Sequence, residues 1–443
     1  MGKILEVAEA LWTGELDVYS HHPFGPPYGV EPICPGVWFY KGFAGTVAVE
    51  TEQGLVMIDP AAMFDTQIKF DALRQVTASP LHTAVFSHGH TDHVFGVPLY
   101  VAESAARGWP KPQVIAHENL PARFARYRLT AGWNTIINGR QFRGGVDNLP
   151  WPEQYYQPDL TYSRALDLSV GGVPLCIRHC RGETDDHSWV YFPRHKVLAT
   201  GDLFIWAIPN AGNPQKVQRY TAEWAQGLRE MAALGAQYLL PGHGFPILGA
   251  ERVHQALVNT AALLESLHSQ TISLLNQGAT LDQIIHQVQV PDSLAQLPYL
   301  QPVYDEPEFL VRNIYRLYGG WYDGVPSHLK PAPEADQAAE IAGLAGGAQR
   351  LAARGLELMD QGDLRLACHL VDWALMASPE DPEVRSAVHQ VYKARTHSEP
   401  STMAMGIFLD AARLTGREIG EGRLGKGQLI LAQSERGRLE EKK

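Results

Sequence analysis

The run Ser87-His88-Gly89-His90-Thr91-Asp92-His93 places three imidazoles and a carboxylate within six residues, directly after the short apolar run His82–Phe86. Imidazole and carboxylate together are ligands for divalent metals, zinc above all. In an extended turn His88 and His90 project to one side, whereas Asp92 and His93 lie one step further on and reach a second ion about 3.5 Å away. Three more candidates follow in order: Glu183 in Gly182-Glu183-Thr184-Asp185-Asp186-His187, Asp202 in Thr200-Gly201-Asp202, and His243 in Pro241-Gly242-His243-Gly244. Each sits beside a glycine and after a β-like apolar run, respectively Pro174–Ile177, Val197–Ala199 and Tyr238–Leu240. Four strand ends thus bring ligands to one edge of a layered fold. Within the second motif the ligand is either Glu183 or His187; the other would then be a hydrogen-bonding partner that orients a ligand. Asp185 and Asp186 read as turn residues or as partners of that kind.

The elements that must position these groups are legible in outline. Residues 30–60 read as a β-meander with glycine turns, and strand and helix patterns alternate from there to about 250. Residues 109–163 read as a long insertion, and in its segment 117–143 Arg123, Arg126, Arg128, Arg140 and Arg143 stand against Glu118 alone. These arginines either attract an anion near the metals or pair with acidic groups elsewhere. Beyond 250 the pattern is helical. Glu251–Asn276 keeps a helix period, Ala348–Ala377 forms a hairpin through Gln361-Gly362-Asp363, and a further helix starts after Ser378-Pro379-Glu380-Asp381. The spacing is similar to a tetratricopeptide pair.

A chain of 443 residues with 45% hydrophobic content supports more than one core. Its net charge of −11 disfavours nucleic acid and anionic lipid as partners. No apolar run is long enough to span a membrane, and Met1–Tyr19 is acidic, unlike a secretion signal. A cytoplasmic location is expected. Cysteines at 34, 176, 180 and 368 are too few and scattered for a disulfide framework, and Cys176 and Cys180 read as thiols around a strand end. Trp206, Trp133 and Tyr127 either line an apolar pocket or belong to the core. His117 and His179 carry no pattern that separates catalysis from packing.

The ordered motifs from His88 to His243 resemble the metallo-β-lactamase superfamily over roughly residues 30–250. By position, that resemblance gives His88, His90 and Glu183 to a first ion, Asp92, His93 and His243 to a second, and Asp202 to both. Most of the superfamily has histidine where Glu183 stands. The stretch Pro298–Pro331, with Tyr315-Arg316-Leu317-Tyr318-Gly319-Gly320-Trp321-Tyr322-Asp323-Gly324 within it, resembles the dimerisation domain of alkylsulfatases, enzymes of this fold that hydrolyse sulfate esters of fatty alcohols. Ala394-Arg395 and Glu399-Pro400-Ser401-Thr402-Met403 extend that likeness to about residue 413. Alkylsulfatases also use glutamate at the position of Glu183. They differ in bridging their metals with a second glutamate where this chain has Asp202. They grip sulfate with two arginines, of which Arg219 has a counterpart here while Pro214 or Gln215 replaces the other. They also carry a sterol-carrier-like lobe that this sequence lacks.

The resemblance implies an α+β protein: a metallo-β-lactamase αββα sandwich over 1–250, an all-α, tetratricopeptide-like dimerisation domain over 251–415, and a C-terminal tail over 416–443. It implies a hydrolase with two Zn²⁺ per chain, a metal-bridging hydroxide as nucleophile, Asp92 and Asp202 as catalytic residues, and Arg219 on the head of an alkyl sulfate. A carboxylate in place of an imidazole also suits Mn or Fe. Lactones, thioesters or β-lactams are the alternative small-molecule substrates. A metal-stabilised interaction protein is the other class, disfavoured because structural zinc sites are usually closed and mononuclear. A homodimer through the helices after 250 is expected, with Tyr304, Tyr315, Tyr318, Trp321 and Tyr322 at its surface.

Overall fold

The computed structural model describes residues 2–142 and 151–416. Arg143 of the arginine cluster, and the expected tail from 417 on, lie outside the described residues. The chain divides into two compact units, one of Met1–Ala131, Pro152–Ala279 and Gln283–Gly320, the other of Gly132–Trp151, Thr280–Asp282 and Trp321–Lys443.

The first unit is built on two sheets. One runs in chain order through β1 (Gly29–Cys34), β2 (Val37–Lys41), β3 (Thr46–Thr51), β4 (Gly54–Ile58), β5 (Leu81–Val85), β6 (Gln113–His117) and β7 (Leu160–Tyr162). The first four form the expected antiparallel meander, and β4 to β7 pair in parallel. The other sheet holds β8 (Ala165–Val170), β9 (Val173–His179), β10 (Ser188–Phe192), β11 (Val197–Ile205), β12 (Tyr238–His243) and β13 (Ile247–Leu248), with β11 and β12 parallel across the helix between them. Side-chain alternation decides the layering. On β4, Val56 and Ile58 enter the core shared with Leu175, Ile177, Val190 and Phe192 of the second sheet, whereas Leu55 and Met57 face outward. The first unit's helices include α1 (Lys3–Thr13), α2 (Thr66–Val76), α3 (Val97–Arg107), α4 (Leu120–Leu129), α6 (Thr221–Ala232) and α7 (Ala250–Asn276), while α5 (Ala131–Gln141) belongs almost wholly to the second unit. Leu73 of α2, Tyr100 of α3 and Phe124 of α4 cover the outward face of the first sheet.

Two expectations differ from this arrangement. Residues 109–163 are not one insertion, because β6 and β7 extend the first sheet; Val114, Ile115 and Ala116 are a buried apolar core within a stretch rich in arginine, proline and aromatic residues. The compact division also falls near 320 rather than 250. Val253, Ala256, Leu257, Thr260, Leu264 and Leu267 form a buried stripe on α7, which packs against α6 and against α10 (Pro307–Gly319). Between α7 and α10 lie α8 (Leu281–Gln287) and α9 (Asp292–Ala295).

In the second unit α11 (Pro326–Leu329) and α12 (Glu334–Ala345) precede α13 (Ala348–Asp360), α14 (Leu364–Ala377), α15 (Pro382–Ser398) and α16 (Thr402–Gly416). The α13–α14 hairpin turns at Gly362, whose φ of 85° suits glycine, and the Asp363 side chain accepts from Leu366 N–H. Asp381 caps α15 in the same way. Leu351, Ala352, Leu358, Val371, Val384 and Val391 share the core of these helices. No described helix is long and apolar enough to cross a membrane.

Candidate metal centre

The parallel strands β4 and β5 end side by side, and this fixes the first motif. Asp59, directly after β4 and in the left-handed region at φ 54°, accepts from Ser87 N–H at 2.7 Å and from Ser87 Oγ at 2.6 Å. The same carboxylate meets His93 Nδ1 at 2.9 Å, which turns His93 Nε2 toward the site. His243, at the end of β12, is oriented likewise by its Nδ1 contact with Phe43 O at 2.6 Å. The glycine before it has a steric reason, since a Cβ at Gly242 would collide with Asp202 Oδ1. Asp202 lies within β11, its backbone N–H donating to His187 Nε2 at 3.1 Å.

The predicted ligands fall into two groups, His88, His90, Glu183 and Asp202 in one and Asp92, His93 and His243 in the other. In the first, His88 Nε2 is 2.9 Å from His90 Nδ1 and 3.8 Å from both Glu183 Oε2 and Asp202 Oδ2. In the second, Asp92 Oδ2 lies 3.4 Å from His93 Nε2 and 3.3 Å from His243 Nε2. Asp202 reaches this group as well, at 3.3 Å from His93 Nε2 and 3.2 Å from His243 Nε2. Four ligands at ~2.1 Å around a tetrahedral ion stand roughly 3.4 Å apart, so this spacing suits a metal better than hydrogen bonds. His93 Nε2, Glu183 Oε2 and Asp202 Oδ1 are buried with no hydrogen-bond partner, the His93–Asp202 approach lacking hydrogen-bond geometry. Buried polar atoms left unsatisfied are costly, and divalent cations would satisfy all three.

Charge in the cluster follows from burial and neighbours. Burial holds His88 and His90 well below the usual histidine range, so both are neutral, as ligands must be. Burial would raise Asp202, yet His243 and His93 keep its carboxyl well below the ordinary value. Burial pushes Glu183 up to about 8 against the pull of Arg219. His187 is lowered to about 4 by burial and stacks on His88 at 4.5 Å. It stands outside both ligand groups. Glu183→Ala is therefore expected to weaken metal binding far more than His187→Ala, which a chelator competition on the two variants would measure; the reverse ranking would move the ligand to His187.

Arg219 is not where a substrate-gripping residue was expected. It is 1% exposed, and its Nη1 donates to Glu183 Oε1 and to Asn210 O, both at 2.5 Å. Asn210 Nδ2 donates to the same Glu183 oxygen. Taking a carboxylate out of water requires a countercharge, and Arg219 supplies it. Arg123 is likewise committed, to Asp186 at 2.6 Å and to Asp185, while Arg140 pairs with Asp410 at 3.0 Å. Two arginines of the cluster are thus neutralised by acidic partners. Trp206 belongs to the core, its Nε1 donating to Phe245 O, and Tyr127 is buried beside Arg123. Trp133 is exposed in the second unit. His117 and His179 stack on each other at 3.8 Å, away from the ligand groups.

Sequence reasoning missed several residues. Asp59 carried the same signal as the ligands, a carboxylate after a β-run. Lys216 is half-buried; burial pushes its amine down to about 7, with the charges of Arg219, Glu183 and Asp92 also acting on it. Phe24 and Phe43 pack edge-on against His243 at 4.5 and 5.5 Å, Phe64 extends from Phe43 to the surface, and Tyr304 packs on Phe24. Nothing local in the sequence brings these aromatic rings together.

Residues 42–243 match the family model of the metallo-beta-lactamase superfamily, and residues 280–417 match that of alkyl sulfatase dimerisation. A linear primary-alkylsulfatase of Pseudomonas sp. is 26% identical over 397 residues, covering 84% of this chain and 74% of that protein. An alkyl/aryl-sulfatase of Saccharomyces cerevisiae is 24% identical over 386 residues, 81% of this chain and 59% of that one. The solved structure of a stereoselective inverting sec-alkylsulfatase from Pseudomonas sp. superposes with a TM-score of 0.79 at 22% identity, covering 91% of this chain and 67% of that one. The first match spans both candidate ligand groups and the second follows it, so the chain is similar to the metallo-β-lactamase superfamily over its first part and to alkylsulfatases over most of its length.

Proposed function

We propose that this protein is a dinuclear-metal-dependent hydrolase of alkyl sulfate esters, with two zinc ions per chain. The observation that carries the reading is Asp202, whose carboxylate faces both ligand groups and leaves Oδ1 without a hydrogen bond. Two such ions would supply a water acidified to a pKa of ~7 and would offset charge gathering on an ester oxygen. The chain's own residues do the rest. Asp202 spaces the two groups. His90 and Asp92, each with 18% of its side chain exposed, mark the open side from which substrate enters. Phe24, Phe43 and Phe64 form an apolar wall from His243 to the surface, suited to an alkyl tail. Arg219 is turned onto Glu183, and Lys216, whose amine feels the charges of Glu183 and Asp92, is the cation proposed for the anionic head. The similarity to alkylsulfatases supports the sulfate-ester class.

The inward turn of Arg219 also favours a second reading, hydrolysis of a neutral lactone, thioester or β-lactam. Assaying the metal-loaded protein on a panel of alkyl sulfates and these three classes separates the two. Turnover confined to alkyl sulfates is expected, and turnover confined to a neutral class would replace the first reading by the second.

The dimerisation match supports a homodimer. Of the aromatics expected at the surface, Tyr318, Trp321 and Tyr322 are exposed, whereas Tyr304 and Tyr315 are buried, Tyr304 against Phe24. Light scattering at micromolar concentration is expected to give twice the chain mass; a monomer with full activity would contradict this.

A further inference from the structure

The loop between β11 and α6 carries Asn210 and Arg219, the two groups that hold Glu183, yet has no ladder of its own to fix it. Its anchors come from the segment around α10. Asp305, fully buried just before that helix, accepts through Oδ2 from Gly212 N–H at 2.7 Å and Asn213 N–H at 3.1 Å, while Oδ1 accepts from Glu306 N–H at 2.8 Å. Asn313, 3% exposed within α10, donates from Nδ2 to Arg219 O at 3.0 Å, and its Oδ1 accepts from Gln218 Nε2 at 3.0 Å. The approach is close enough to demand glycine at 212, where a Cβ would lie 2.5 Å from the Phe309 carbonyl carbon.

We infer that Asp305 and Asn313 are positioning residues of the metal centre, holding the Asn210–Arg219 loop so that its ends meet Glu183. Each end of the loop is clamped. Asp305 fixes the backbone next to Asn210, and Asn313 fixes the backbone of Arg219 itself. Without these acceptors and donors the loop N–H and C=O groups are satisfied by water instead, and Asn210 and Arg219 drift from the Glu183 carboxylate. The stretch matched to dimerisation thereby also shapes the chemistry of the first unit.

The inference rests on the dinuclear reading above, and one titration tests both separately. Full-length Asp305→Ala, Asp305→Asn and Asn313→Ala are compared with the parent by zinc titration against a competing chelator, with circular dichroism confirming the fold. One of the two zinc equivalents, that of the Glu183 group, is expected to weaken about 10–100-fold in Asp305→Ala and Asn313→Ala, and the other to stay within about threefold. Asp305→Asn keeps an oxygen for Gly212 and Asn213 and is expected to recover most of the loss. If Asp305→Ala fails to fold, Asn313→Ala carries the comparison. Parent-like binding of both equivalents in the folded variants, or equal weakening of both, would overturn the inference. A parent that binds fewer than two zinc ions would overturn the dinuclear reading itself, and this inference with it.

Discussion

Asp202→Ala is expected to lose most of the bound metal and more than about 100-fold of the hydrolytic activity. The carboxylate it deletes faces His88 Nε2 in one ligand group and His93 Nε2 and His243 Nε2 in the other, so no other ligand of the seven is shared so evenly. Loss of a hydrogen-bonding partner behind a ligand already costs 10–100-fold in affinity or activity, and loss of a ligand common to two cations costs more. It also leaves the two cations facing each other without the intervening negative charge. Metal content after dialysis, measured beside turnover, checks the expectation. Retention of two metals and near-parental turnover would remove Asp202 from its bridging role.

The second large effect is expected at Arg219. Glu183 sits at about 8 in spite of Arg219, because burial dominates; removing the guanidinium drives it further up. A metal needs the carboxylate form, so the proton competes more strongly at neutral pH and affinity falls. Arg219→Ala is therefore expected to lose about 10–100-fold in turnover, with zinc affinity falling in parallel and excess zinc restoring part of the activity. The same loss with zinc affinity unchanged would show that the guanidinium reaches the substrate instead.

The candidate ligands were legible because their motifs follow apolar β-like runs and carry glycines, and the structure brings those motifs together in two groups. The αββα layering was legible from the meander over residues 30–60, from the strand and helix patterns that alternate after it, and from the family resemblance. Other features depend on contacts distant in sequence. The short β6 run is masked by the arginines, prolines and aromatics around it. The stripe on α7 reads as a helix face, but nothing local says that it packs on the first unit. Arg219 reads as a free cation until Glu183, 36 residues earlier, is seen buried beside it. Phe24, Phe43 and Tyr304 meet only because the segments that bear them converge on His243. Local pattern thus pointed to the candidate ligands, and tertiary packing decided which residues surround them.

The most direct measurement is the metal stoichiometry of the active protein, taken by elemental analysis on the same preparation whose turnover of an alkyl sulfate is recorded as zinc is titrated in. Activity that rises with the second equivalent and levels at two zinc ions per chain is the result expected from a carboxylate shared by two ligand groups. Full activity at one zinc ion per chain, or at none, would contradict it.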